Sequence, residues 1–211
     1  MGSDEQGGRR RKRSREQTRD RMLEAAVELL RREGLPALTT VRITREAGIV
    51  QSGFYAHFKS PEHLQKELAE RTGRDLRESI ATWMAALRAG GDDLASLSHC
   101  YAEVLGLFRE QAALVDLFLR YRRSTSPLGM VLGHLHTQLR ADFFQYLRER
   151  AGPPEATRAH LGTIGMHADV LVAALLGVAE GIVDGRVVDL PTAATELAAL
   201  TLEPLRRLIG A

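Results

Sequence analysis

The stretch that decides the fold is LTTVRITREAGIVQSGFYAHFKS, which runs from Leu38 to Ser60. It contains two short amphipathic segments separated by a turn at Gly48, and it places Phe54, Tyr55 and Phe58 within five positions of a chain that is only 5% aromatic. Two short helices joined by a tight turn containing glycine, with a longer helix in front, form the helix-turn-helix pattern. The sequence therefore predicts a small helical domain around these residues.

The second of these short helices has two different sides. At 3.6 residues per turn, Phe54 and Phe58 share one face, so we expect them to pack inward. The opposite side carries only Ser52, Gly53 and Ala56, and such small side chains let a helix approach base edges in the major groove. The alternative is a helical hairpin whose phenylalanines are core and whose polar residues are merely solvated.

Several polar side chains of this stretch suit contacts to DNA. The candidates for phosphate contacts carry hydroxyl or cationic groups: Thr39, Thr40, Arg42, Tyr55 and Lys59. Hydroxyls and free amides at a helix N-terminus favour an anion there. Gln51 has the side-chain amide suited to an adenine edge, and His57 is a weaker candidate for the same role.

Charge is distributed unevenly along the chain. Residues 9–59 hold thirteen Lys and Arg against six Asp and Glu, whereas residues 60–211 hold sixteen against nineteen. A basic first quarter on a mildly acidic remainder indicates that the first quarter meets a polyanion. Residues 1–15 include RRRKRSR and are predicted to form a disordered basic arm, because like charges at that density repel and bury no face.

The remaining periodicity predicts an all-α protein. Alternating strand patterns are almost absent, while Ala, Leu, Arg and Glu dominate long periodic segments. Beyond the helix-turn-helix, helices are predicted at 16–33, from 60 to about 90, and at 92–108, 110–123, 127–150, 155–184 and 191–208. The predicted organisation is a disordered arm at 1–15, a three-helix helix-turn-helix domain at 16–59, and a larger helical-bundle domain at 60–211.

The sequence around this stretch resembles the DNA-binding signature of the TetR family of bacterial transcriptional regulators. The similarity covers about residues 17–65 and consists of a Thr-rich second helix, an E-A-G turn, an aromatic cluster and a K-S-x-E-x-L segment. The matching residues are Thr39, Thr40, Ile43, Glu46, Ala47, Gly48, Phe54, Tyr55, His57, Phe58, Lys59, Ser60, Glu62 and Leu64.

The resemblance also implies residue roles. It implies phosphate contacts at Thr40, Tyr55 and Lys59. It implies base-edge or close-approach positions at Gln51, Ser52, Gly53 and His57. The sequence departs from the family pattern at Val50, where a capping serine is common, and at Gly53 and Ala56, where larger residues are common. We therefore expect specificity to depend on Gln51, Arg42, the basic arm and DNA shape.

For the larger domain, the resemblance implies effector binding and dimer formation. Small residues in the predicted helix 155–184 and leucines in 191–208 favour a four-helix homodimer interface, with ordinary intrachain packing as the alternative. The predicted effector contacts are Trp83, Tyr101, Phe108, Phe118, His136 and Phe143. Because their helix faces also carry leucine, a mostly apolar effector is expected, and the alternative for each is a core position.

Other classes of protein receive little support. Constellations for nucleophilic catalysis, phosphate binding or metal binding are missing, so we predict no enzyme activity, no cofactor and no metal site. The apolar run 170–183 is shorter than a bilayer requires and contains Glu180, so we expect a cytoplasmic protein without a membrane span.

The predicted function is a ligand-responsive, sequence-specific repressor that leaves an inverted-repeat DNA operator when a small molecule binds. One alternative is a small-molecule-binding protein or enzyme with a vestigial helix-turn-helix. A second is a sequence-tolerant nucleoid protein, against which the large acidic domain argues.

Overall fold

The computed structural model describes residues 3–153 and 158–209. Internal contacts divide the chain into two compact units, with the division after Arg71. The change of composition near residue 60 predicts a boundary after residue 59 instead. A helix at Pro61–Ala89 crosses the division, so a change of composition at residue 60 does not mark the end of the first unit.

The first unit contains α1 (Ser3–Glu33), a short 3-10 turn (Leu35–Ala37), α2 (Thr40–Glu46), α3 (Gln51–Phe54) and the beginning of α4 (Pro61–Ala89). Helix α1 starts at Ser3, whereas residues 1–15 were predicted to be disordered. The correction has a physical basis, because Arg, Lys, Glu and Gln are good helix formers and the segment continues a helix already held by packing. Gly34 ends α1 with a φ of 83°, in the left-handed region that glycine adopts readily.

The core of the first unit forms between α1 and the two short helices. Met22, Ile43 and Phe54 are each 0% exposed, and Phe58 is 1% exposed. The rings of Phe54 and Phe58 lie 5.7 Å apart between centroids. The prediction that these two phenylalanines point inward is confirmed.

The second unit contains the rest of α4 and five further helices. These are α5 (Leu94–Glu110), α6 (Ala112–Tyr121), α7 (Pro127–Arg150), α8 (Leu161–Val183) and α9 (Leu190–Ile209). Helix α8 starts later than the predicted residue 155, since Arg158–His160 is a 3-10 turn and 154–157 lie outside the described residues. The described residues form helices and turns without a strand, which confirms the all-α class.

Helix starts in this unit follow local capping chemistry. The carboxylate of Asp93 accepts the amide hydrogen of Ser96 at 3.0 Å at the start of α5. The hydroxyl of Ser126 accepts from the amide of Gly129 at 3.1 Å, with proline at the first position of α7. Serine or aspartate at the N-cap stabilises a helix by about 1 kcal/mol.

Two glycines bring α7 close to the turn that follows α6. A Cβ atom at Gly129 would lie 2.1 Å from the carbonyl oxygen of Ser124, and one at Gly133 would lie 2.9 Å from that of Arg122. A side chain at either position would push the turn away. The glycines therefore fix the backbone of Arg122 against α7.

Helix α8 is apolar but incompletely buried. The most apolar window of this helix has a mean hydropathy of 1.7, yet only 33% of the window is buried. The helix is long enough to cross a bilayer, but a helix at a protein interface has the same length and composition. Its exposed residues recur on one face: Gly162, Met166, Val170, Ala173 and Gly177.

Candidate DNA-binding surface and effector cavities

The turn between α2 and α3 depends on Gly48. This residue has a φ of 64°, and a Cβ atom there would lie 3.2 Å from the guanidinium of Arg21. Helix α3 then begins at Gln51, with Val50 as its N-cap and no side-chain cap.

Helix α3 and the turn after it present a small and polar outer side. Gln51, Ser52 and Ala56 are exposed, and Tyr55 is 62% exposed beside the fully buried Phe54. Gly53 is half-buried, and a Cβ atom on it would come within 3.0 Å of the Ile49 side chain. Glycine is thus favoured here by the packing of Ile49.

The predicted DNA-contact residues around α2 differ in how accessible their side chains are to DNA. Thr39 is exposed and caps α2, because its hydroxyl accepts from the amide of Arg42 at 3.4 Å. Thr40 is only 9% exposed, so little of its hydroxyl reaches the surface. Arg42 forms an ion pair with Glu33, which holds the pKa of that carboxyl below its usual range. Arg42 is therefore not a free cation in this structure.

His57 faces α1. It is half-buried, its Nδ1 is shielded from solvent with no hydrogen-bond partner, and burial lowers its pKa, as do the nearby Arg15 and Arg19. This placement does not favour His57 as a reader of bases. Lys59, by contrast, is exposed, and its backbone amide donates to Nδ1 of His63 at 3.2 Å.

Three arginines of α1 hold the helix-turn-helix together. Arg15 donates to the carbonyl of Ala56 at 2.8 Å, and Arg19 donates to the carbonyl of His57 at 2.9 Å. Arg19 also pairs with Glu67 and lies 4.7 Å from the centroid of the Phe58 ring.

The third arginine, Arg21, donates to the carbonyl of Ala47 at the end of α2. Guanidinium groups suit such sites, because carbonyls at helix ends lack partners and carry partial negative charge. The charge count of the sequence included Arg15, Arg19 and Arg21 among the cations that could bind DNA. In the structure these three side chains stabilise the helix-turn-helix domain instead.

Sequence reasoning missed three exposed residues beside the buried anchors. Arg45, in the last turn of α2, is exposed and forms no ion pair with the side chains that the structure describes. Val41 and Val50 are 53% and 73% exposed. Their position between buried core residues was a usable signal, since an exposed apolar side chain in a helix-turn-helix can contact a thymine methyl group.

The second unit encloses an apolar cavity of about 50 Å³. It is lined by Leu76, Ser79, Ile80, Trp83, Val104, Leu107, Phe108, Gln111, Val115, Phe118, Leu139, Leu175, Leu176 and Ala179. The polar side chains in this lining are Ser79 and Gln111. Because the lining residues come from five helices, their meeting could not be read from periodicity.

Three predicted effector residues, Trp83, Phe108 and Phe118, line this cavity. Tyr101 and Phe143 do not; they are buried against Trp83, with ring centroids 5.7 and 5.6 Å from its ring. The Tyr101 hydroxyl shares a 2.7 Å hydrogen bond with the hydroxyl of Thr201. Both residues are core, which was the stated alternative.

His136, the sixth predicted residue, lines a second and more polar cavity of about 340 Å³. The lining consists of Arg122, Arg123, His136, Arg140, Asp169, Val172, Ala173, Leu176, Gly177 and Glu180. Burial lowers the pKa of His136, and the charges of Arg122 and Arg123 lower it further. This cavity was not predicted, since α6, α7 and α8 contribute residues far apart in sequence.

With this geometry in place, the comparisons with known proteins agree with one another. Residues 22–68 match the family model of bacterial regulatory proteins of the TetR family. In fold, the chain is similar to a TetR-like transcriptional regulator from Rhodococcus sp. RHA1, with a TM-score of 0.70 and 22% identity over 93% of this chain and 97% of that one.

Two further solved structures are similar at lower scores. A transcriptional regulator from Aquifex aeolicus VF5 gives a TM-score of 0.60 and 18% identity over 86% of this chain and 96% of that one. SmeT, the repressor of the Stenotrophomonas maltophilia multidrug efflux pump SmeDEF, gives 0.58 and 20% identity over 88% of each chain. The helix-turn-helix segment at residues 22–68 thus matches the TetR family, and the chain as a whole has the fold of these solved structures.

Proposed function

We propose that the protein is a homodimeric repressor that binds an inverted-repeat operator and is released from it by a mostly apolar small molecule. One observation carries the DNA-binding part. Helix α3 is anchored by fully buried phenylalanines and turns a small polar side outward, in a domain of the TetR family. Such a helix fits a major groove without displacing its own scaffold.

The exposed side chains divide into two sets of contacts. Tyr55, Lys59 and Thr39 supply hydroxyl and cationic groups for phosphates, and Arg45 adds a cation without an ion pair among the described residues. Gln51 supplies the amide that pairs with an adenine edge. Few other side chains are available to read bases, so DNA shape contributes to specificity.

The homodimer is supported by the exposed face of α8. Gly162 lets a second helix approach closely, while Met166 and Val170 provide apolar surface. On α9, Leu200 is 43% exposed. Two copies of each helix would bury these surfaces in a four-helix interface, as the sequence predicted.

The apolar cavity supports an effector that changes the conformation of the second unit. A cavity of about 50 Å³ is much smaller than the several hundred Å³ of common ligand sites. A ligand that enters must therefore widen the cavity. Such a ligand binds a wider conformer better than the present one, and this difference in affinity is what shifts the population away from the DNA-binding state. The repressor role follows by analogy with relatives such as SmeT.

The test is selection of binding sites from random duplex DNA, followed by anisotropy titrations. We expect an inverted repeat with half-sites about one helical turn or a multiple apart, and affinity that falls steeply with salt. Gln51→Ala should cost about 1–3 kcal/mol and relax preference at one position of each half-site. Gln145→Ala, in the second unit, is the matched control and should leave both properties unchanged.

The same titrations decide between the functional classes. Failure to prefer the selected repeat over random duplex would overturn the proposal in favour of a nucleoid protein. Failure to bind DNA at all would favour a small-molecule-binding protein with a vestigial helix-turn-helix. That the protein has no enzyme activity, cofactor or metal, and that it is cytoplasmic, stay predictions.

A further inference from the structure

The two cavities of the second unit share a wall. Leu176 lines both of them. Phe118 lines the apolar cavity and His136 lines the polar one, and their ring centroids lie 6.4 Å apart. A molecule longer than either cavity could therefore occupy both if these two side chains turned apart.

The polar cavity has more positive than negative charge. Arg140 and Asp169 neutralise each other through a two-pronged ion pair, with Nη2 to Oδ2 at 3.0 Å. Arg122 and Arg123 remain, and neither forms an ion pair with a carboxylate of the described residues. Glu180 is the one other acid in the lining, so the cavity has a formal charge of +1 with His136 neutral.

Arg122 is the better placed of the two arginines to bind an anion. Its Nε is shielded from solvent and has no acceptor, and its Nη1 donates to the carbonyl of Leu119. Burial and the neighbouring Arg123 lower its pKa, and the charge of Glu180 offsets this in part. A shielded cation of this kind is costly unless an anion reaches it. The close approach of Gly133 to its carbonyl holds Arg122 in this position.

We propose that the effector is an amphiphilic monoanion whose carboxylate binds Arg122 and Arg123 and whose hydrocarbon chain enters the apolar cavity beside Trp83. This inference rests on the proposed function and narrows its effector to one chemical class. A carboxylate matches the planar donor fork of arginine. A single negative charge also balances the formal charge of the polar cavity, which a dianion would exceed.

Trp83 makes the test specific, because it is the single tryptophan of the chain and lines the apolar cavity. Dodecanoate, dodecanol and butyrate are titrated below their micellar concentrations while Trp83 fluorescence is recorded. Dodecanoate should bind saturably and about tenfold or more tightly than dodecanol, since a charge-assisted hydrogen bond adds that much affinity. Butyrate should give little signal because it does not reach the apolar cavity.

Two variants and a control locate the head group. Arg122→Gln and Arg123→Gln should each weaken dodecanoate binding about tenfold while leaving dodecanol binding unchanged. Arg123→Gln is at an exposed residue, so it remains informative if Arg122→Gln fails to fold. Arg148→Gln, an exposed arginine in the last turn of α7, removes the same charge and should behave as the parent protein.

The outcomes separate this inference from the proposed function. Equal binding of dodecanoate and dodecanol, or unchanged dodecanoate affinity in both variants, would overturn the anionic head group and leave an apolar effector standing. Failure of all three probes to perturb Trp83, while a neutral hydrophobic dye does so, would also overturn it. If the variants change only dimer dissociation in sedimentation experiments, the cavity receives a carboxylate from a second copy, and the inference is wrong.

Discussion

Arginine has opposite roles in the two units. In the first unit, Arg15, Arg19 and Arg21 donate to main-chain carbonyls at the ends of the short helices. In the second, Arg122 and Arg123 line a cavity without an ion pair to any described carboxylate. The charge counts alone would place the free cations in the first unit, since the first quarter of the sequence is basic and the remainder is acidic. The number of cations in a segment therefore does not say which of them are available to a ligand.

The difference arises from hydrogen-bonding geometry. A guanidinium has five donors in a planar fork, so it can satisfy carbonyls that a helix end leaves without partners. In the first unit two short helices end close to α1, and its arginines reach those ends. Just after α6, Arg122 and Arg123 line a cavity instead, and their donors have fewer protein acceptors.

The largest expected effect distinguishes the structural role of Phe54 from the DNA-contact role of its neighbour Tyr55. Phe54→Ala should destabilise the first unit by about 3–5 kcal/mol, because it empties a fully buried site. Tyr55→Phe should leave stability almost unchanged and weaken DNA binding through loss of the exposed hydroxyl. Urea denaturation followed by circular dichroism, together with anisotropy titrations, measures both. Equal destabilisation by the two changes would show that Tyr55 also belongs to the scaffold.

A smaller effect tests directly which arginines stabilise the fold and which contact DNA. Arg19→Gln should cost about 1–3 kcal/mol of stability, since it removes bonds to Glu67 and to the His57 carbonyl that are partly exposed. Arg45→Gln should leave stability within about 0.5 kcal/mol.

In the DNA titrations, Arg45→Gln should reduce the salt dependence of binding by about one counterion. If Arg19→Gln alters only the salt dependence and Arg45→Gln alters stability, the assignment of Arg19 to the fold and of Arg45 to DNA contact is wrong.

The smallest expected effect is on acid stability. The folded-state pKa values of His57 and His136 are lowered, chiefly by burial and further by neighbouring arginines. Below about pH 6.5 these histidines bind protons in the unfolded chain but remain neutral in the folded chain. The free energy of unfolding should therefore fall as the pH falls below that value. His57→Gln should flatten this dependence for the first unit and His136→Gln for the second. Urea titrations at about pH 7.5 and 5.5 measure it; stability that rises on acidification would contradict the assignment.

The sequence was informative where the deciding residues are close together. The inward packing of Phe54 and Phe58 and the exposure of Ser52 and Ala56 follow from neighbouring residues and were predicted correctly, although Gly53 is half-buried. The arm at 1–15 was predicted from charge repulsion alone, whereas the structure has a helix from Ser3 because helix propensity and continuity with α1 also count.

The cavities could not be predicted, because they depend on which helices lie opposite one another. Trp83, Tyr101 and Phe143 have similar sequence surroundings, yet one lines the apolar cavity and two lie behind it. Gln111 lies at the junction of α5 and α6, where no periodic pattern marks it.

The hydrogen bond between Tyr101 and Thr201 has a consequence for synthesis of the protein. Tyr101 packs against Trp83, which lines the apolar cavity, but its hydroxyl partner lies 100 residues later in the chain. This contact cannot form until Thr201, in α9, has been synthesised. While a ribosome is still translating α9, the Tyr101 hydroxyl lacks this partner, although the first unit has left the exit tunnel and can already fold. The first unit should therefore fold before the core around Trp83 is complete on each nascent chain.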